Sequence, residues 1–217
     1  MNRIPEPELM ETPEQAEAYA TADFHEVNRQ FVEGLLQVHP IPESARVLDL
    51  GCGPADIPFR LLRKCPAIHV TAVDGSEAML AWARERKERE GEGRLHIVEE
   101  QLPLSAPSTP FDVIISNSLL HHLHDPSILW EELKRQGTKG TRIHIMDLVR
   151  PLTPEAAREI VDAHAADEAE VLRQDFYHSL HAAFRLDEIN EQLNNAGLRH
   201  LEVRQITDRH MLVTGEL

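Results

Sequence analysis

The sequence predicts an α/β fold: a doubly wound, mostly parallel seven-stranded sheet with helices on both faces, an antiparallel C-terminal strand pair and an N-terminal helical cap. Three observations predict it. From Arg46 to Met146, short apolar runs alternate with longer segments of helical periodicity, the pattern of parallel strands joined by crossover helices. The runs themselves, among them VLDL, VTAV and DVIIS, are nearly continuously apolar, as strands covered on both faces require. The last two strand-like runs are separated only by Thr207-Asp208-Arg209, a link short enough to favour an antiparallel pair.

The elements follow in order. Residues 1–12 carry three acids and two prolines and read as a poorly ordered lead. Between residues 13 and 38 the spacing predicts two helices outside the main sheet. Phe24, Val27, Phe31, Leu35 and Val38 form one apolar stripe there, and Pro40 and Pro42 end the segment. Residues 1–42 are therefore expected to form the cap and 43–217 the sheet domain. Strands are expected over 46–50, 68–73, 94–98, 111–116 and 141–146, and helices over 57–64, 76–88 and 125–136. Pro58 is tolerated in a first helical turn, and Ser76 is a natural N-cap. A helical insertion is expected over about 151–185, with one helix opening at Thr153-Pro154-Glu155 and running to about Leu172, and a second piece over 175–183. A helix over 187–195, stopped by Gly197, leads into strands over 198–206 and 210–214. Trp82 and Trp130 lie among apolar helical neighbours and read as core.

Composition narrows the partners. The chain has 22 Lys plus Arg against 37 Asp plus Glu, a net charge of -15. That balance disfavours a nucleic-acid backbone or an anionic membrane surface, which attract basic patches, and fits a small-molecule substrate. No apolar run approaches the roughly 18 residues a membrane span needs. The acidic N-terminus resembles no secretory signal, and one of the two cysteines, Cys52, sits inside a glycine turn, so a reducing, cytoplasmic setting is expected. A monomer or homodimer is expected.

The chemistry starts at VLDLGCGPADIP, where a strand runs through Gly51-Cys52-Gly53 into a helix. Such turns let a ligand approach the backbone. The dinucleotide fingerprint G-x-G-x-x-G has Asp56 in place of its third glycine, and the G-x-x-x-x-G-K-[ST] phosphate loop is absent. Asp49 before the turn and Asp56 after it disfavour a pyrophosphate and tolerate a cationic ligand. Asp74, 21 residues after Gly53, ends the next strand, where a carboxylate can accept both hydroxyls of a ribose. A helix-dipole charge before Ser76 is the competing reading of Asp74. Glu99-Glu100-Gln101-Leu102-Pro103 and Ser116-Asn117-Ser118-Leu119 follow two further strands, at the carboxyl edge where open α/β sheets bind ligands.

These four segments, in order and at typical spacing, resemble the motifs of the class I S-adenosylmethionine-dependent methyltransferases, closely over residues 46–147. The resemblance implies S-adenosyl-L-methionine as cofactor and methyl transfer to a small-molecule acceptor by in-line displacement. It implies that Asp49, Gly51, Cys52 and Gly53 line the methionine part, that Asp74 holds the ribose, and that Gly75 and Met79 lie near adenine. Glu99 or Glu100, with Gln101, stands where the family contacts adenine. Ser116, Asn117 and Leu119 are implied as the floor beneath the sulfonium. A peptide or protein side-chain acceptor, and a catalytically silent cofactor-binding subunit of the same fold, are the alternatives. A nicotinamide-dependent oxidoreductase is disfavoured by Asp56.

The acceptor side is expected from parts outside the core alternation. His121 and His122 are the candidate catalytic residues, as base or acceptor contact, against a structural role in their loop. His121, His122 and His124 stand at spacings of one and three without a cysteine, a poor tetrahedral set, so no metal is expected. Tyr19, Phe24, Asp147, Arg150, Tyr177 and His181 are the candidate substrate contacts. Tyr177 and His181 share a helix face at i,i+4, with plain helix packing as the competing reading.

Overall fold

A computed structural model describes residues 1–6, 12–104 and 109–217. Its centre is one seven-stranded sheet in the order β3-β2-β1-β4-β5-β7-β6. The strands are β1 (Arg46–Leu50), β2 (His69–Asp74), β3 (Leu95–Glu99), β4 (Val113–Asn117), β5 (Arg142–Leu148), β6 (Glu202–Gln205) and β7 (His210–Glu216). β1 to β5 pair in parallel, whereas β7 runs antiparallel to both β5 and β6. The chain steps from β1 outward to β3 and returns to place β4 on the other side of β1. This reversal opens a crevice above the carboxyl ends of β1 and β4, where α/β sheets of this kind hold ligands.

The period of two along each strand divides the core. Val47, Val70, Val113 and Ile115 face α2 (His25–Val38), α3 (Asp56–Lys64) and α4 (Glu77–Glu90), meeting Phe31, Leu35, Phe59, Leu62 and Leu80. Leu48, Leu50, Ile114, Ile143 and Ile145 face α5 (Ser127–Gln136) and α8 (Leu186–Asn195), where Trp130, Leu133, Ile189 and Leu193 pack. Each fully buried aliphatic side chain contributes about 1.5–3 kcal/mol, so the two layers carry most of the driving force. α1 (Pro13–Thr21) touches both α4 and α7, while α2 lies on α3. Among the described residues, no helix is long and apolar enough to cross a membrane.

Ser76 caps α4 by accepting the Met79 amide at 3.3 Å. The helical insertion differs from expectation. The single helix expected to run to about Leu172 is two: α6 (Pro154–His164) and α7 (Glu170–Ala182). Its Ala- and Glu-rich sequence carries no proline or glycine at the break. Packing sets it instead, because folding α7 back brings Leu180 and Ala183 onto Ala157, Val161 and Leu148. The lead is also more ordered than its composition suggests. Ile4 donates its amide to the His181 carbonyl at 3.0 Å. The Arg3 guanidinium donates to the carbonyls of Ala182, His121 and Leu123 and lies 4.0 Å over the Phe184 ring. Residues 7–11 of that lead lie outside the described residues.

Candidate functional site

The crevice at the switch point opens into a cavity of about 670 Å³, within the range of small-ligand sites. The glycine turn forms one wall. Gly51 and Gly53 adopt positive φ, +72° and +52°. A Cβ on Gly51 would come within 2.9 Å of the Leu119 side chain, so glycine is required there by contact as well as by dihedral. Ala55, also left-handed at φ 61°, starts α3.

Two acids face this wall. Asp49 is buried at the end of β1, and Asp74 ends β2 beside it. Asp74 accepts the amides of Gly53 and Ser76, each at 2.8 Å, which ties the glycine turn to the next strand. Burial raises the Asp74 pKa against the lowering effect of these backbone donors. Burial, then the nearby Asp74 charge, pushes Asp49 up to about 8. No cationic side chain pairs with Asp49 among the described residues. Burial and the same acids raise the Cys52 thiol well above its ordinary value and the Tyr19 phenol to about 12. Burial and the neighbouring carboxylates therefore push these four groups, Asp49, Asp74, Cys52 and Tyr19, toward their uncharged forms. Asn117 adds a buried side-chain oxygen that accepts nothing among the described residues. The cavity thus offers acceptors and negative charge to a ligand that carries donors and positive charge.

Asp56 does not share in this. Burial opposes its charge, but Arg60, Asn28 and Arg86 hold its pKa below the usual carboxylate value. Arg86 approaches at 3.0 Å and the Asn28 amide at 2.9 Å. Its charge is spent on an α2–α3–α4 contact. Asp56 lines the cavity with its charge already paired, so the unpaired acidity of the site rests on Asp49 and Asp74.

Of the expected cofactor contacts, Asp49, Gly51, Cys52 and Gly53 line the cavity at one end. Gly75, Met79, Glu100 and Gln101 line it near Asp74, whose carbonyl accepts the Glu100 amide at 3.0 Å, and Asn117 and Leu119 complete the wall. Two do not. Glu99 turns outward, its carboxylate 3.4 Å from Arg84 on the exposed face, so Glu100 is the acid that faces inward. Ser116 is fully buried and donates its hydroxyl to the Leu50 carbonyl at 2.8 Å, bracing β4 against β1. Trp130 is core, but Trp82 is 38% exposed and lines the cavity rim, a placement its apolar helical neighbours concealed.

On the acceptor side, Tyr19 and Phe24 stack at 4.6 Å and line the mouth with His121 and His122. The other expected contacts stand back from it. Asp147 is buried behind His121, with its Oδ1 2.6 Å from Nδ1 of that ring. Arg150 is buried among the carbonyls of Met1 and Ala183 and pairs with Glu188. Tyr177 and His181 do meet, at 4.4 Å between rings, but His181 bonds the Tyr177 carbonyl and the pair packs on α7 rather than on the cavity. The residues taking their place are Leu172, Phe176, Ser179, Arg209 and His210.

Glu6 has no local signature among its neighbours in the chain. The N-terminal segment brings its carboxylate within 3.4 Å of both His121 Nε2 and His122 Nδ1. Ser179 donates its hydroxyl to the same oxygen at 2.9 Å. His124, by contrast, points its Nε2 at the Glu6 backbone carbonyl. Contacts between segments so far apart in the chain leave no local spacing to read.

A doubly wound sheet with a glycine turn at its switch point, two acids above it and no phosphate loop defines a Rossmann-like nucleoside-binding unit. Residues 41–202 match the methyltransferase domain family, and the chain belongs to that family, with the architecture of its class I S-adenosylmethionine-dependent members. The trans-aconitate 2-methyltransferase of Azoarcus sp. (strain BH72) is 33% identical over 106 residues, 49% of this chain and 40% of that protein. The enzyme of the same name from Acidovorax sp. (strain JS42) is 31% identical over 176 residues, 75% of this chain and 66% of that protein. The chain spans less than two thirds of the first curated relatives it matches, 20% to 40% for the first four. Among solved structures, a SAM-dependent methyltransferase from Aquifex aeolicus superposes with a TM-score of 0.68 at 19% identity, covering 94% of this chain and 97% of that one. The plantazolicin methyltransferase BpumL, solved with a pentazolic desmethylPZN analogue and SAH, superposes with a TM-score of 0.69 at 14% identity over 94% and 92%. At these identities the structural matches speak for the fold.

Proposed function

We propose that this chain binds S-adenosylmethionine in the cavity and transfers its methyl group to a small-molecule acceptor by in-line displacement. One observation carries the reading. Asp49 and Asp74 face the same cavity from adjacent strand ends with no cationic side chain paired to them among the described residues, and a sulfonium nucleoside with an ammonium group supplies that charge. Asp74 takes the ribose hydroxyls. Asp49, Gly51, Cys52, Gly53 and the Asn117 side-chain oxygen take the methionine end. Gly75, Met79, Glu100 and Gln101 flank the adenine. Leu119, pressed against Gly51, seals the floor beneath the sulfur.

The reaction asks little covalent chemistry of the protein, because the sulfonium already activates the methyl group. The acceptor lone pair must be held roughly 3 Å from the methyl carbon and in line with the carbon–sulfur bond. Tyr19, Phe24, Phe176 and Leu172 provide an apolar mouth that excludes water from that approach. The names of the curated relatives favour a small acceptor, and the negative net charge agrees.

Calorimetric titration with S-adenosylmethionine, S-adenosylhomocysteine and NAD tests the reading. Saturable binding of both sulfur nucleosides with none of NAD is expected. Binding of neither sulfur nucleoside would overturn it.

A further inference from the structure

We propose that Glu6, His121 and His122 form a binding site for one divalent zinc-class metal ion at the acceptor end of the cavity. The three donor atoms, Glu6 Oε1, His121 Nε2 and His122 Nδ1, all lie within 4.8 Å of one another. Oε1 stands 3.4 Å from each imidazole nitrogen. Tetrahedral zinc with bonds of roughly 2.0–2.1 Å separates neighbouring ligand atoms by roughly 3.3–3.4 Å. The spacing therefore matches a tetrahedral edge and exceeds the roughly 2.7–2.9 Å of a charge-assisted hydrogen bond.

Asp147 supplies the second half of the argument. Its carboxylate accepts the Leu120 and Leu148 amides, each at 2.7 Å, and lies 2.6 Å from His121 Nδ1. A carboxylate with those partners accepts only, so Nδ1 carries the proton. With Nδ1 committed to Asp147, Nε2 is the ring atom left to face Glu6 Oε1, 3.4 Å away. A carboxylate that fixes one imidazole nitrogen so that the other can ligate is a common outer-shell arrangement at metal sites. The ligand side chains are 3%, 11% and 16% exposed, enclosed but not sealed, and both histidines border the cavity. Two imidazoles and one carboxylate make a donor set suited to zinc and similar divalent ions, with coordination positions left for a substrate.

Resting on the function proposed above, the site fits an acceptor whose reacting atom can ligate the ion, such as an ionisable oxygen. Bound to the ion, that oxygen releases its proton to solvent at neutral pH. Its lone pair forms the new carbon–oxygen bond, the carbon–sulfur bond breaks, and that electron pair returns to sulfur as a neutral thioether. The metal changes no oxidation state.

The test uses the untagged full chain, stripped with a chelator and titrated with Zn²⁺ by calorimetry and with Co²⁺ by visible absorption. One ion per chain is expected, with the intense ligand-field bands of a low-coordinate Co²⁺ site. Glu6→Gln and His122→Ala are each expected to weaken Zn²⁺ binding at least 100-fold. S-adenosylhomocysteine titrations of the same samples report folding and the cofactor site separately. Absence of stoichiometric metal binding, or an affinity in both variants equal to that of the parent chain, would overturn the proposal and leave a shared proton between Glu6 and His121.

Discussion

Seating a cationic nucleoside beside Asp49 has a proton-linkage consequence. In the empty cavity, burial and Asp74 push the Asp49 pKa up to about 8. At pH 7 the carboxyl is then about 90% protonated. A cation in van der Waals reach favours the ionised form, so binding must expel that proton. The sign is fixed: an acid whose pKa falls on binding releases protons, and affinity rises with pH until the free-state pKa is passed. Affinity for S-adenosylmethionine should be about tenfold lower at pH 6 than at pH 7, about 1.4 kcal/mol, a range in which the ligand's own ammonium stays largely charged. Calorimetry in buffers of different ionisation enthalpy at pH 7 should count about 0.9 proton released per ligand. Asp49→Asn, which cannot titrate, should release almost none and show a flat profile across that range. Equal proton release by Asp49→Asn and the parent chain, or none by the parent, would refute the reasoning.

Three further outcomes follow from the same geometry. Asp74→Ala removes an acceptor for two ribose hydroxyls, at about 1.5–3 kcal/mol each, so cofactor affinity should fall roughly 100-fold or more while circular dichroism stays native; an unchanged dissociation constant would contradict the ribose role. Gly51→Ala meets both the +72° dihedral and Leu119 at 2.9 Å, and should lose about 1–3 kcal/mol of stability in denaturant titration. Adding Leu119→Ala should restore the contact part and leave the dihedral part. His144 lies buried under the Phe31 ring edge with His39 and Arg204 as its charged neighbours, and burial, then His39 and Arg204, lower its pKa to about 3. A base with a depressed native pKa contributes stability that is intact above the unfolded value near 6.5 and is lost as pH falls toward 3. The chain should lose about 2 kcal/mol at pH 5 on this account alone, and His144→Leu should lose correspondingly less; equal acid sensitivity would rule His144 out.

Much of this molecule was legible in its residues because the information is local. A strand followed by Gly51-Cys52-Gly53, and an acid ending the next strand, lie within a stretch whose order the sheet preserves. Asp49 and Asp74 accordingly both stand on the cavity wall. What failed depends on distant partners. Asp56 does line the cavity, but its pairing with Arg60 and Arg86 is invisible in the local sequence. Arg150 looked like a substrate contact, yet the carbonyls at the ends of α7 and of the chain had claimed it. The break between α6 and α7 has no marker residue, since the packing of Leu180 on Val161 determines it. Glu6 was invisible for the same reason, standing 115 positions from His121 in sequence and 3.4 Å from it in space.

A crystal structure of the full chain with S-adenosylhomocysteine speaks to the whole cofactor assignment at once. Both ribose hydroxyls should lie within about 3 Å of the Asp74 carboxylate oxygens, with the adenine between Met79 and Glu100 and the sulfur above Leu119. A nucleoside bound elsewhere, or one whose ribose turns away from Asp74, would contradict it.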